Sequence, residues 1–309
     1  MKEPTTRVMT PADRLEVAEL IYFSTNHWYQ THGRPAIFSG GPEAAAVFFD
    51  VYEALDPGCS IAAVHPATGR IIGSCFYHPR TTHVSLGIMN SHPAYAGEGV
   101  ARALLAWIID FARRESKPLR LVSSAMNLDS FSLYTRAGFV PRCVYQDMCL
   151  AVPKDGLKVT ADGAANIRPA TMADVDAMAA LDMEVAGIDR GKDLRHFIAN
   201  REGFWHLSVY AGANGRPEGF CASSGAPGCN MVGPCVARTP EQAAALMAAE
   251  LDRHRGRTPV FLVPVDCTPL VRTAYSWGAR NCEIHFSQCL GQWRPVRGVM
   301  MPTFLPETC

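Results

Sequence analysis

The chain has 309 residues, 48% hydrophobic and 19% charged, and a mean hydropathy of zero, which is a soluble globular composition with room for two ordinary domains. Lys plus Arg and Asp plus Glu each number 29, so the formal net charge is zero; this excludes a nucleic-acid or anionic-membrane partner held by bulk electrostatics. No apolar run reaches the roughly 18–20 residues of a membrane span, and no apolar core follows Met1-Lys2-Glu3-Pro4 as in a secretory signal, so a cytoplasmic protein is expected.

In chain order, Arg14 to Trp28 is expected to be a helix, with Leu15, Ala18, Ile21 and Tyr22 on one face. An irregular aromatic region follows, and a second helix runs about Pro42 to Leu55. Ser60 to His65 and Arg70 to Phe76 form a hairpin around Pro66-Ala67-Thr68-Gly69. Val84 to Met89 is a strand. Val100, Ala101, Leu104, Leu105, Ile108 and Ala112 make one helical stripe of the kind that faces a core. Leu119 to Ala125 is a buried strand. Ser130 to Ala137 is a helix stopped by Gly138, and Val144 to Leu150 is a strand.

The second half follows the same plan. Arg7, Thr10, Ala12 and Asp13 superpose without a gap on Arg168, Thr171, Ala173 and Asp174; each set is a short strand, a capping Thr and an Ala-Asp first turn. Such an internal repeat predicts two tandem domains, 1–152 and 164–309, joined by the turn-rich stretch from Pro153 to Gly163. Trp205 to Ala211, Gly219 to Ser224, Val232 to Ala237 and Pro259 to Val265 are expected strands. Thr239-Pro240-Glu241-Gln242 is a capping box that satisfies its own helix. The eleven cysteines are scattered, odd in number and without a C-x-x-C pair. They are expected to be reduced thiols, and no metal site is expected.

One stretch carries chemistry. After the Val84 strand, His92-Pro93-Ala94-Tyr95-Ala96-Gly97-Glu98-Gly99-Val100-Ala101 turns through two glycines directly into the stripe helix. Glycines there let successive N–H groups converge, and the helix N-terminus adds about half a positive charge, which makes a phosphate cradle. Asn127, Tyr134 and Gly138-Phe139 follow at the distance of one more strand and helix. From Val84 to Phe139 the chain resembles the GNAT acyl-CoA N-acyltransferases, whose signature is Arg or Gln, two residues, Gly, one residue, then Gly or Ala. Gly99, Val100 and Ala101 fit its last three positions. Ala96 stands where the family has Arg or Gln, and Glu98 brings a negative charge to the loop.

The resemblance implies an α/β fold, a mixed sheet with helices on both faces, in two GNAT-like domains of which the second has lost its glycine loop. It implies acetyl-CoA as donor and a small-molecule or peptide amine as acceptor. Gly97 to Ala101 would hold the pyrophosphate. A bulge near Met89, Asn90 and Ser91 would turn N–H groups to the acetyl carbonyl and pantetheine. Tyr134 lies where the family often keeps the acid for the thiolate. Asn127 is either part of the cofactor site or a cap for the helix at Ser130. Trp28, Tyr29 and His32 are candidates for the acceptor side; no acidic cluster is evident to attract a polyamine. His27, His32, His83 and His92 are all conceivable bases and none stands out. A non-catalytic acyl-CoA sensor is the competing reading, drawn from the Ala96 and Glu98 departures.

Overall fold

The computed structural model describes residues 4–306. The first half runs β1 (Thr5–Val8), α1 (Arg14–Thr31), α2 (Ala46–Leu55), β2 (Ser60–Val64), β3 (Ile71–Pro79), β4 (Val84–Ser91), α3 (Val100–Arg114), β5 (Leu119–Ser124), α4 (Leu128–Arg136) and β6 (Val140–Cys149). The second runs β7 (Ile167–Pro169), α5 (Val175–Val185), α6 (Gly191–Ala199), β8 (Trp205–Ala211), β9 (Pro217–Ala226), β10 (Cys229–Ala237), α7 (Pro240–Leu251), β11 (Val260–Pro264), α8 (Thr268–Ser276) and β12 (Arg280–Leu290). Apart from short 3-10 turns, the two element orders are the same, and β13 (Val299–Met301) is an addition.

The repeated Arg-Thr-Ala-Asp residues build the same device twice. Arg7 donates from both guanidinium ends to Asp13, at 2.7 Å each, and Arg168 does so to Asp174 at 2.8 and 2.7 Å. The same carboxylate accepts the N–H of Thr10, or of Thr171, in a capping box. The arginine hydrogen bonds hold both aspartates down to about 2.

Two compact units emerge, and they cut across the repeat. The first comprises residues 4–79, 83–119 and 304–306; the second comprises 80–82 and 120–303. In the first, β1 to β4 form an antiparallel sheet in sequence order. Gly73 pairs with Ser91 and faces α3, where a Cβ would lie 2.5 Å from Val100. Asn90, one residue along β4, therefore faces the other way, and its side chain meets α1. Helices thus cover both faces of this sheet.

In the second unit the strand order is β5-β12-β6-β11-β10-β9-β8-β7, with β13 beside β10. The last strands of the two halves have exchanged places: β12 lies between β5 and β6, and β6 lies between β12 and β11. β6 and β12 run antiparallel from Arg280 opposite Cys149 to Cys289 opposite Val140. A sequence repeat cannot reveal this exchange, because either neighbour offers β6 the same backbone ladder. The core beneath includes Met148 of β6 with Leu246, Met247, Phe261 and Val263 of the second half. No disulfide joins any described cysteine, and no described helix is long and apolar enough to cross a membrane.

Below α7, His254 is buried with Nδ1 2.8 Å from Asn230 Oδ1. Burial holds its imidazole down to about 4. The unfolded chain, with an ordinary imidazole, binds that proton from pH 6.5 downward, while the folded chain resists it. Stability is therefore complete above 6.5 and lost as pH falls toward 4, by on the order of 1–3 kcal/mol. Urea titrations at pH 7.5 and 4.5 should show the loss, and His254→Gln should shrink it; an equal loss in that variant would assign it to other groups.

Candidate functional site

The β4–α3 connection is built to receive an anion. Gly97 and Gly99 take φ of 80° and 84°, a left-handed backbone that side-chain-bearing residues rarely adopt. Gly99 is the N-cap of α3 and offers no side chain, so the first N–H groups of the helix point outward uncapped. The first intrahelical bond runs from Ala103 N to Gly99 O at 2.9 Å. Glu98 is exposed. Arg102, in the first helical turn, curls back over the loop: a Cβ added to Gly99 would lie 3.1 Å from its Nη2. A cation at a helix N-terminus opposes the dipole unless an anion lies between them. That conflict was the available sequence signal for Arg102, which the reading of Ala96 and Glu98 missed.

β4 does carry a bulge, but earlier than expected. Cys75 pairs with Met89 and Tyr77 with Leu86, so Gly87 and Ile88 together oppose Phe76. The expected position at Met89 to Ser91 is corrected by Tyr52 of α2. Its ring presses on Gly87, where a Cβ would come within 2.5 Å, and its hydroxyl accepts from Ile88 N at 3.4 Å. Only glycine lets the two touch, so the strand buckles there. Met89, Asn90 and Ser91 continue as paired strand.

A cleft of about 350 Å³ lies beside this end of β4. Leu20, Tyr22 and Phe23 of α1 form its apolar wall, and Glu16, Glu19 and Arg70 its polar mouth. His92 closes one side, with its ring against Phe23 at 5.2 Å. Its Nδ1 accepts from Ala94 N at 3.2 Å, so the neutral ring carries its proton on Nε2.

In the other compact unit, Tyr134 is the buried residue of α4, its ring 5.8 Å from Phe139. Asn127 caps that helix, with Oδ1 accepting from Ser130 N at 3.0 Å. The second half shows what an unused version looks like. Phe139 N–H donates to Tyr134 O, and Ala279 N–H donates to Ala274 O, both at 3.1 Å; Ala274 therefore stands where Tyr134 does and has no hydroxyl. Tyr275, one residue on, is exposed and held by Gln146 at 3.0 Å. Helix α7 is closed by Thr239, which accepts from Gln242 N at 3.3 Å, and by Glu241, whose carboxylate is lowered by its own backbone N–H and by Thr239. Linker residues Thr160 to Asp162 line the groove between α7 and α8.

Two family models match the chain: the acetyltransferase (GNAT) family at residues 25–139 and an acetyltransferase (GNAT) domain at 178–282. The chain belongs to the GNAT family and carries two GNAT domains in tandem. No curated protein matches this GNAT chain. A putative acetyltransferase from Pyrococcus horikoshii shares its fold with a TM-score of 0.74 and 15% identity, over 99% of this chain and 94% of that one. A GCN5-related N-acetyltransferase from Sphaerobacter thermophilus gives 0.66 and 17%, over 96% and 99%. A tandem GNAT protein from the clavulanic acid biosynthesis pathway gives 0.62 and 15%, over 94% and 100%.

In this tandem GNAT protein, Trp28, Tyr29 and His32 gather on the last turns of α1. Trp28 stacks on His32 at 4.2 Å and meets Tyr29 edge-on at 5.0 Å. They lie beyond the cleft, whose walls come from earlier turns of the same helix. The cleft also gathers Glu16 and Glu19, three residues apart on one helical face, where no acidic grouping was expected. Among the described residues, Asp147, Glu283 and His285 are spaced for a metal ion, with ligand atoms within 4.8 Å of one another. His285 Nδ1 meets Asp147 Oδ1 at 2.9 Å, and Glu283 accepts from Ser124. Burial raises Asp147. Burial also opposes charging of His285, but Asp147 and Glu283 outweigh it and leave the imidazole raised.

Proposed function

We propose that the protein is an acetyl-CoA-dependent N-acetyltransferase acting on a primary amine, with the chemistry confined to the 1–152 domain and the 164–309 domain a degenerate partner. The observation that carries this reading is the contrast between helix ends: α3 is uncapped behind two left-handed glycines, whereas α7 is closed by its own side chains. Amides from Gly97 to Ala101, with the Arg102 guanidinium, suit a pyrophosphate. Ala96 and the exposed Glu98 border it. Met89, Asn90 and Ser91 would flank the acyl end beyond the Gly87–Ile88 bulge. Asn127 would orient the donor through its carboxamide N–H while capping α4. The Trp28, Tyr29 and His32 cluster is assigned to the outer acceptor side.

The neutral amine nitrogen attacks the thioester carbonyl carbon, the carbon–nitrogen bond forms, and the carbon–sulfur bond breaks. The sulfur takes a proton from Tyr134, the new amide sheds its extra proton to water, and water reprotonates the tyrosine.

Acetyl-CoA at 100 times its dissociation constant should raise stability by about 2.7 kcal/mol, read as a thermal shift. Replacing Gly97 and Gly99 by valine should abolish that shift. A shift that survives both changes would place the donor elsewhere. An acyl-CoA sensor would show the same shift without turnover of any amine.

A further inference from the structure

The strand exchange brings three metal-ligating side chains together from the two halves. We propose that Asp147, Glu283 and His285 bind one divalent transition-metal ion of the Zn²⁺ class, and that the ion ties β6 to β12. The proposal is independent of the acyltransferase reading above.

Register puts the donors on one face. Asp147 stands directly opposite Glu283, and Tyr145 opposite His285. Alternate residues of a strand share a face, so Asp147, Glu283 and His285 point the same way. All three are buried, at 2, 7 and 7% exposure. Their ligand atoms lie within 4.8 Å of one another. His285 Nδ1 and Asp147 Oδ1 are 2.9 Å apart. That is an edge of a coordination shell, because donors about 2.0–2.2 Å from zinc stand about 2.9–3.5 Å from each other. Glu283 has the torsional reach to close the remaining distance. Its Oε1 accepts from the Ser124 hydroxyl of β5, the outer hydrogen bond that steadies a ligating carboxylate.

Charge supplies the second argument. The charges acting on Asp147 are His285 and Glu283, and those acting on His285 are the two carboxylates; no lysine or arginine is among them. Two carboxylates against one imidazole leave a surplus negative charge in a buried place even with the ring protonated. Uncompensated buried charge is costly. A divalent cation with a neutral imidazole brings the sum to zero. The Cys282 thiol donates to Asp147 O at 3.2 Å, so the donors are one ring nitrogen and carboxylate oxygens. An imidazole ligand disfavours Mg²⁺ and Ca²⁺, and a set without thiolate disfavours Cu⁺.

The full chain, stripped with a chelator, is titrated with ZnCl₂ and read by native mass spectrometry and calorimetry. One Zn²⁺ should bind per chain, and Mg²⁺ should bind about 100-fold more weakly. Glu283→Gln and His285→Gln should each weaken Zn²⁺ binding about 100-fold, and Ser124→Ala about tenfold. His206→Gln removes a partly exposed histidine that is also paired with a carboxylate, Glu250 at 2.8 Å, and should change nothing. Wild-type crystals soaked in ZnCl₂ locate the ion without any variant: the anomalous peak should lie among the three side chains. A peak on other side chains, the lack of stoichiometric binding, or an affinity that survives both Glu283→Gln and His285→Gln overturns the proposal.

Discussion

Tyr134→Phe is expected to lower acetyl transfer by about 100-fold while leaving CoA affinity and thermal stability nearly unchanged. The hydroxyl is the only group removed. The ring stays buried and packed on Phe139, and the helix end is held by backbone, with Phe139 N donating to Tyr134 O at 3.1 Å. General acid assistance contributes about 10²–10⁴-fold, and a CoA thiolate is already a fair leaving group, so the low end applies. The loss should fall on kcat in single-turnover measurements, with the CoA dissociation constant unmoved. Ala274 gives an internal control, since the second half has evolved the same helix end without the hydroxyl. Wild-type turnover in the Phe variant would make Tyr134 a packing residue and leave protonation of sulfur to water.

The elements were legible in the sequence wherever local chemistry decides. The α3 stripe buries Val100, Leu104, Leu105, Ile108 and Ala112, as its spacing requires. The Arg-Thr-Ala-Asp repeat became two copies of one cap, because the side chains that form it lie within seven residues of one another. Three features lay beyond local reading. Strand exchange between β6 and β12 depends on which of two equivalent ladders a strand joins. The bulge at Gly87 depends on a tyrosine from a distant helix. The cleft required Glu16, Glu19, Arg70 and His92 to come together from separate elements. In the phosphate loop, attention to the missing arginine at position 96 hid the one at 102, six residues on. A rule tied to sequence position overlooks a guanidinium that arrives from the next turn.

The largest expected loss of stability comes from a buried ionic group in the second compact unit. Arg80, Asp182, Arg190 and Asp193 are all fully buried. Arg80 donates to Asp193 at 2.8 Å, and Arg190 grips both oxygens of Asp182 at 2.6 and 2.5 Å. Burial pushes Asp182 up to about 6, against the pull of Arg190 and Arg80. Around the group, Thr81 reaches Asp189 at 3.2 Å and Thr82 reaches Gly187 O at 2.8 Å, so the 80–82 segment is fixed by side chains as well as by charge. Asp193→Ala removes one charge and leaves the Arg80 guanidinium inside without it, which costs about 3–5 kcal/mol. Replacing both partners, Arg80→Met with Asp193→Leu, removes the desolvation cost of each ion together with their attraction, and should recover most of that loss. Denaturant titration of the single and double variants gives the comparison. A double variant as unstable as Asp193→Ala would show that packing around the 80–82 segment, and not an uncompensated charge, sets the penalty.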